Sequence, residues 1–112
     1  MKVNPKTLIW TAPSETAGGD PIAEDRELEY EVGSVDESNG SIEPIMVVAS
    51  QLRDADQYEA PISDLQFDNG EYSLVLRTFY KDKPNLKSKW SNAVEFRIND
   101  EVPKRPLDFS VV

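Results

Sequence analysis

Glu29 and Glu31 are the residues whose spacing comes nearest to acid–base chemistry. They sit in Leu28-Glu29-Tyr30-Glu31-Val32, a strictly alternating segment, so both carboxylates leave one face of a strand about 7 Å apart. Paired carboxylates can divide the roles of acid and base. Such work also needs a pocket signature, a nucleophile or a histidine, and the chain has no His and no Cys. Without Cys there are no disulfides and no thiolate metal sites. The pair therefore reads as a solvated face, with Arg77 as a cross-strand partner. Two oxygen-rich stretches, Asp36-Glu37-Ser38-Asn39-Gly40 and Asp68-Asn69-Gly70-Glu71, have the composition of calcium loops. Neither carries the EF-hand spacing with its closing Glu, so both read as ordinary turns. The sequence predicts no enzyme activity, no metal and no cofactor.

Charge points to proteins as partners. The chain carries 21 acidic and 12 basic residues, a net charge of −9, which disfavours contact with a phosphate backbone. Glu15 to Glu37 holds nine carboxylates against Arg26 alone, and Arg77 to Lys89 holds five bases against Asp82. Opposite blocks of this kind are either solubility charge or the poles of a head-to-tail contact. In the second case Lys83, Lys87 and Lys89 carry the basic pole. No window approaches the ~20 apolar residues of a membrane span, and the opening Met1-Lys2-Val3-Asn4-Pro5 contains no apolar run of a secretory leader. Neither nucleic acid nor membrane is expected as a partner.

The elements that must position these groups are short strands. With 112 residues the chain has the size of one domain. Lys6 to Trp10, Leu28 to Val32, Ile42 to Ala49, Tyr58 to Ile62, Tyr72 to Tyr80 and Asn92 to Ile98 read as six strands separated by turn signals. Pro61 restricts its strand to a sheet edge. Asn69 or Gly70 supplies the positive φ of a tight turn. In Tyr72 to Tyr80, Tyr72, Leu74 and Leu76 share one face, while Val75, Arg77 and Phe79 share the other. Val75 and Phe79 are then an exposed apolar patch around Arg77, or are covered by the C-terminal tail or by the Ile42 to Ala49 strand. Lys81 to Ser91 is a long basic loop. Together the six strands predict an all-β, two-sheet sandwich.

Several landmarks resemble the fibronectin type III domain, an immunoglobulin-like β-sandwich, over about Thr7 to Ile98. Trp10 followed by Thr11-Ala12-Pro13 is similar to that family's second-strand tryptophan and strand exit. Gly18-Gly19-Asp20-Pro21-Ile22 resembles a loop of bacterial and phage members. Tyr30 and Val32, Ile62-Ser63-Asp64-Leu65, and Trp90-Ser91-Asn92 before Val94 are similar to later landmarks. Tyr72 resembles the corner tyrosine, whose hydroxyl bonds backbone near the preceding turn. The resemblance implies a non-enzymatic interaction or structural spacer module, such as a component of a phage virion or bacterial surface, or an accessory domain of a secreted polysaccharide-acting enzyme. It implies a protein partner or further copies of the chain. The basic loop lies where fibronectin's integrin-binding loop lies but contains no Arg-Gly-Asp, so that activity does not follow.

Two departures stand out. The turn between Leu65 and Tyr72 is one residue longer than the family pattern. The family's first strand is missing, since only six residues precede Thr7, and this leaves the Leu8 strand an uncovered edge that invites a partner strand. Residues 1–99 thus read as the domain and residues 100–112 as a tail or linker. That tail, Pro103-Lys104-Arg105-Pro106-Leu107-Asp108-Phe109-Ser110-Val111, itself looks like a first strand. It is the opening of a following domain, a segment lying along its own sandwich, or a strand donated to a neighbouring subunit. In this family the termini lie at opposite poles. Asn99 to Arg105 spans at most about 25 Å, which an antiparallel return along an eight-residue strand of about 26 Å would nearly exhaust. Leu107, Phe109 and Val111 are accordingly expected to pair with a β-edge, either in parallel within one molecule or on the next molecule.

Overall fold

The computed structural model describes all residues, Met1–Val112. Nine strands and one short helical turn form two sheets. The strands are β1 (Lys2–Val3), β2 (Thr7–Thr11), β3 (Leu28–Val35), β4 (Ile42–Val47), β5 (Gln51–Asp54), β6 (Gln57–Pro61), β7 (Gly70–Tyr80), β8 (Lys83–Lys87) and β9 (Val94–Ile98). The larger sheet runs β1-β9-β7-β3-β4, with β8 also on β7, and the smaller runs β2-β6-β5. The expected all-β sandwich is the observed architecture. No helix is long and apolar enough to cross a membrane.

Alternation determines which side chains meet between the sheets. Tyr30, Val32, Leu74 and Phe96 from the larger sheet join Ala60 and the turn residues Ile62 and Leu65 in one core. Aromatic rings bridge the layers: Trp10 and Tyr30 have centroids 5.0 Å apart, and Tyr30 and Tyr58 are 5.9 Å apart. Phe67 stacks on Tyr72 at 4.1 Å and closes the base of the core. The Tyr72 hydroxyl donates to the Asp68 carbonyl at 2.6 Å, the backbone bond expected of it. Trp10 and Tyr72 are only partly buried. Burial pushes the Tyr30 phenol above its usual range. The Trp10 indole N–H is buried beside it without a hydrogen-bond partner.

Three local expectations need correction. Pro61 lies in the central strand of the smaller sheet, not at an edge. It is the last residue of β6, and β5 pairs only as far as Glu59, so its missing N–H leaves no gap on that side. The tight turn before β7 does take its positive φ from Gly70, at 154°, and Gln66, at 53°, adds a left-handed residue that ends the turn Ile62–Leu65. The residues ahead of β2 are not an absent strand alone: Lys2 and Val3 run parallel to β9, against Phe96 and Arg97. Both termini therefore lie toward one end of the sandwich, not at opposite poles.

That end, where β2 begins and β9 finishes, is the lower end. Asn4 fastens it: its N–H donates to the Arg97 carbonyl, and its side chain accepts from the Asn99 N–H. The loops after β2 and after β7 form the upper end.

Candidate interaction surface

Of the two carboxylates on this face of β3, Glu31 is neutralised within the molecule and Glu29 forms no ion pair. Glu31 stands opposite Arg77 in the β3–β7 ladder and pairs with it at 2.6 Å, and Lys87 approaches the same carboxylate at 3.4 Å. Desolvation alone would raise the Glu31 carboxyl, but the hydrogen bonds and charges of Arg77 and Lys87 outweigh it and hold the group below its usual range. Asp36 is engaged by its own turn, accepting from the Ser38 N–H and hydroxyl, which lowers its carboxyl. No group of three or more His, Cys, Asp or Glu residues gathers where a metal could be held.

The acidic and basic blocks are not opposite poles. The acidic loop after β2 and the basic segment after β7 share the upper end and pair with each other. Arg26 meets Asp82 at 3.2 Å, and Lys81 meets Glu27 at 3.3 Å. Lys83 and Lys89 form no ion pair, whereas Lys87 is committed to Glu31. The physical reason is the antiparallel β3–β7 ladder, which matches Leu28 with Tyr80 and so brings the flanking loops together.

Val75 and Phe79 do face outward from the core, yet they are buried, at 6% and 5% exposure. Their cover is neither the tail nor β4. It is the segment after β7, folded back over the sheet. Lys87 lies over the Phe79 ring at 4.8 Å, and the Arg77 guanidinium lies over Trp90 at 4.1 Å. The Trp90 ring rests on Gly33, the residue paired with Val75. Two serines hold the segment. Ser88 and Ser91 each donate their N–H to β7 and accept a β7 N–H on their hydroxyl, at Thr78 and Leu76 respectively. Val75 and Phe79 are therefore covered, with Arg77 stacked on Trp90 between them, and do not form an exposed apolar patch.

The opening lies on the flank of the sandwich. A groove of about 410 Å³ runs between β2 and the side of β7. Its floor is Val32, Leu74 and Leu76 from the core, and its walls include Leu8, Trp10 and Val94. Val94 alternates in step with the buried Phe96 yet is 43% exposed, at the groove wall. β2 forms one edge of its sheet and has no partner on its outer side. Other edges carry protective residues: β4 contains Glu43 and Pro44, and β5 contains Arg53 and Asp54. β2, Thr7-Leu8-Ile9-Trp10-Thr11, contains no charge and no proline, and its pairing with β6 has no bulge. The open edge follows from the missing first strand, but the groove was not legible in the sequence, because its floor comes from β3 and β7, two strands far apart along the chain.

The tail makes no strand pairing. Leu107, Phe109 and Val111 are 79%, 94% and 95% exposed. No protein-family model matches the chain, and no curated protein matches it.

Proposed function

We propose that this chain is a non-enzymatic interaction or spacer module of a larger protein assembly, built on a fibronectin type III-like sandwich. Its working surface is the outer edge of β2 with the apolar groove beside it. The observation that carries this reading is the combination of an uncharged, proline-free strand edge with an open apolar floor. An extended segment added there would gain backbone hydrogen bonds from β2 and seat alternate side chains in the groove. The strand order and the Tyr72–Asp68 bond support the family resemblance. The setting, a structural component of a phage virion or bacterial surface, rests on the Gly18–Ile22 loop alone.

The test is selection of binders from a library of extended peptides with alternating apolar positions, followed by hydrogen exchange on dilute protein. Bound peptides should slow exchange at the outward amides of Thr7–Thr11. If no selected peptide protects that strand, the reading fails.

A further inference from the structure

We infer that the groove beside β2 receives the C-terminal tail of a second copy of this chain, so that copies join head to tail by strand donation. The inference rests on the reading of β2 as an acceptor edge and names its occupant.

The acceptor and the donor are both exposed in the same chain. Leu107, Phe109 and Val111 alternate, so in an extended strand they share one face, and all three lie open to solvent. An apolar run with this period is suited to a half-buried strand position. The groove offers the complementary surface, with inward Leu8 and Trp10 on β2 and Leu74, Leu76 and Val94 across from them.

Geometry selects a second copy over the tail's own groove. The tail leaves at the lower end, where β2 begins. Its root is fixed there: Asn4 donates to the Glu101 carboxylate at 3.1 Å, and the Val102 N–H donates to Asp100 at 2.9 Å. From that anchor the tail stands away from the body. The molecule is 76 Å long, while its longest strand, of 11 residues, accounts for about 36 Å. A second copy placed below the first in the same orientation presents its upper end to this tail. The tail then runs down the neighbour's β2, which runs up, and the pairing is antiparallel without any reversal of the donor chain.

Charge fits the same placement. Lys104 and Arg105 precede the apolar face and form no ion pair. They arrive beside the neighbour's upper loop, where Glu15, Asp20, Glu24 and Asp25 also lack ion-pair partners. A register that sets Leu107 against Ala12, Phe109 against Trp10 and Val111 against Leu8 keeps all three donor side chains over the apolar floor. It also places Ser110 opposite Ile9 on the outer face.

Because the chain has no cysteine, the register can be read directly. Ile9→Cys with Ser110→Cys in one chain should, on oxidation, yield a ladder of disulfide-linked oligomers. A closed monomer as the main product would mean that the tail serves its own groove and would overturn the inference. In the reduced full-length chain, sedimentation equilibrium should show a mass that grows with concentration. Phe109→Asp, at a solvent-exposed position that folding does not need, should weaken that association at least about tenfold. The same variant keeps an empty groove, so a synthetic peptide of residues 103–112 should bind it and protect Thr7–Thr11 from exchange. If library peptides protect β2 but this peptide does not, the tail is not the occupant and only the broader reading survives. If neither protects β2, both fail.

Discussion

Glu31 shows how a catalytic-looking residue can be structural. Its carboxylate is 14% exposed and is held by Arg77 and Lys87, so removing the charge strands two cations beside the sheet. Glu31→Gln should cost roughly 1–2 kcal/mol at neutral pH, between the values for exposed and fully buried pairs. The sign with pH follows from linkage. The folded-state pKa is depressed, so the contribution is present above the unfolded value and is lost as pH falls through the folded one. Stability of the native chain should therefore fall below about pH 4.5, with a slope that Glu31→Gln reduces in chemical denaturation. Trp10→Ala should cost about 3 kcal/mol, the low end for an aromatic core truncation, because one side of the ring already faces the groove. A loss of under ~1 kcal/mol, the range of surface substitutions, would show that the Trp10–Tyr30 contact contributes little.

Among the elements, those with an apolar face were legible in the sequence and those without one were not. β3, β7 and β9 alternate because each buries one side, and the Glu31–Arg77 pairing follows from the same periodicity. β5 and β8 lie wholly exposed, and β1 has only two residues, so none carries a hydrophobic period to read. The fate of Val75 and Phe79 was not legible for a different reason. Their cover comes from Trp90 and the stem of Lys87, and the fit depends on Gly33, which no local pattern singles out. A methyl group on Gly33 would sit 2.8 Å from the Trp90 ring and 2.9 Å from Ile42. Gly33→Ala should thus destabilise by about 1–3 kcal/mol as overpacking, even though the same change in an open strand would help. Fluorescence should report it as well, since displacement of Trp90 breaks its stacking with Arg77. An unchanged Trp90 signal and melting temperature would mean that the segment yields freely.

At the scale of the whole molecule, the open edge and the alternating tail were legible in the sequence, but the end from which the tail departs was not. That depended on Asn4, whose bonds to Arg97 and Asn99 bring both termini to the lower end. One consequence concerns growth rather than binding. Under the proposed strand donation, a chain that offers its tail below and its groove beside β2 would build a polymer with two unlike tips, one ending in a loose strand and the other in a vacant slot, and such a heterologous contact has no reason to close. Phe109→Asp protein can still accept a strand but cannot pass one on. Added in small amount to the native chain, it should act as a terminator, stopping elongation at one tip only and shortening the average polymer in proportion to its mole fraction.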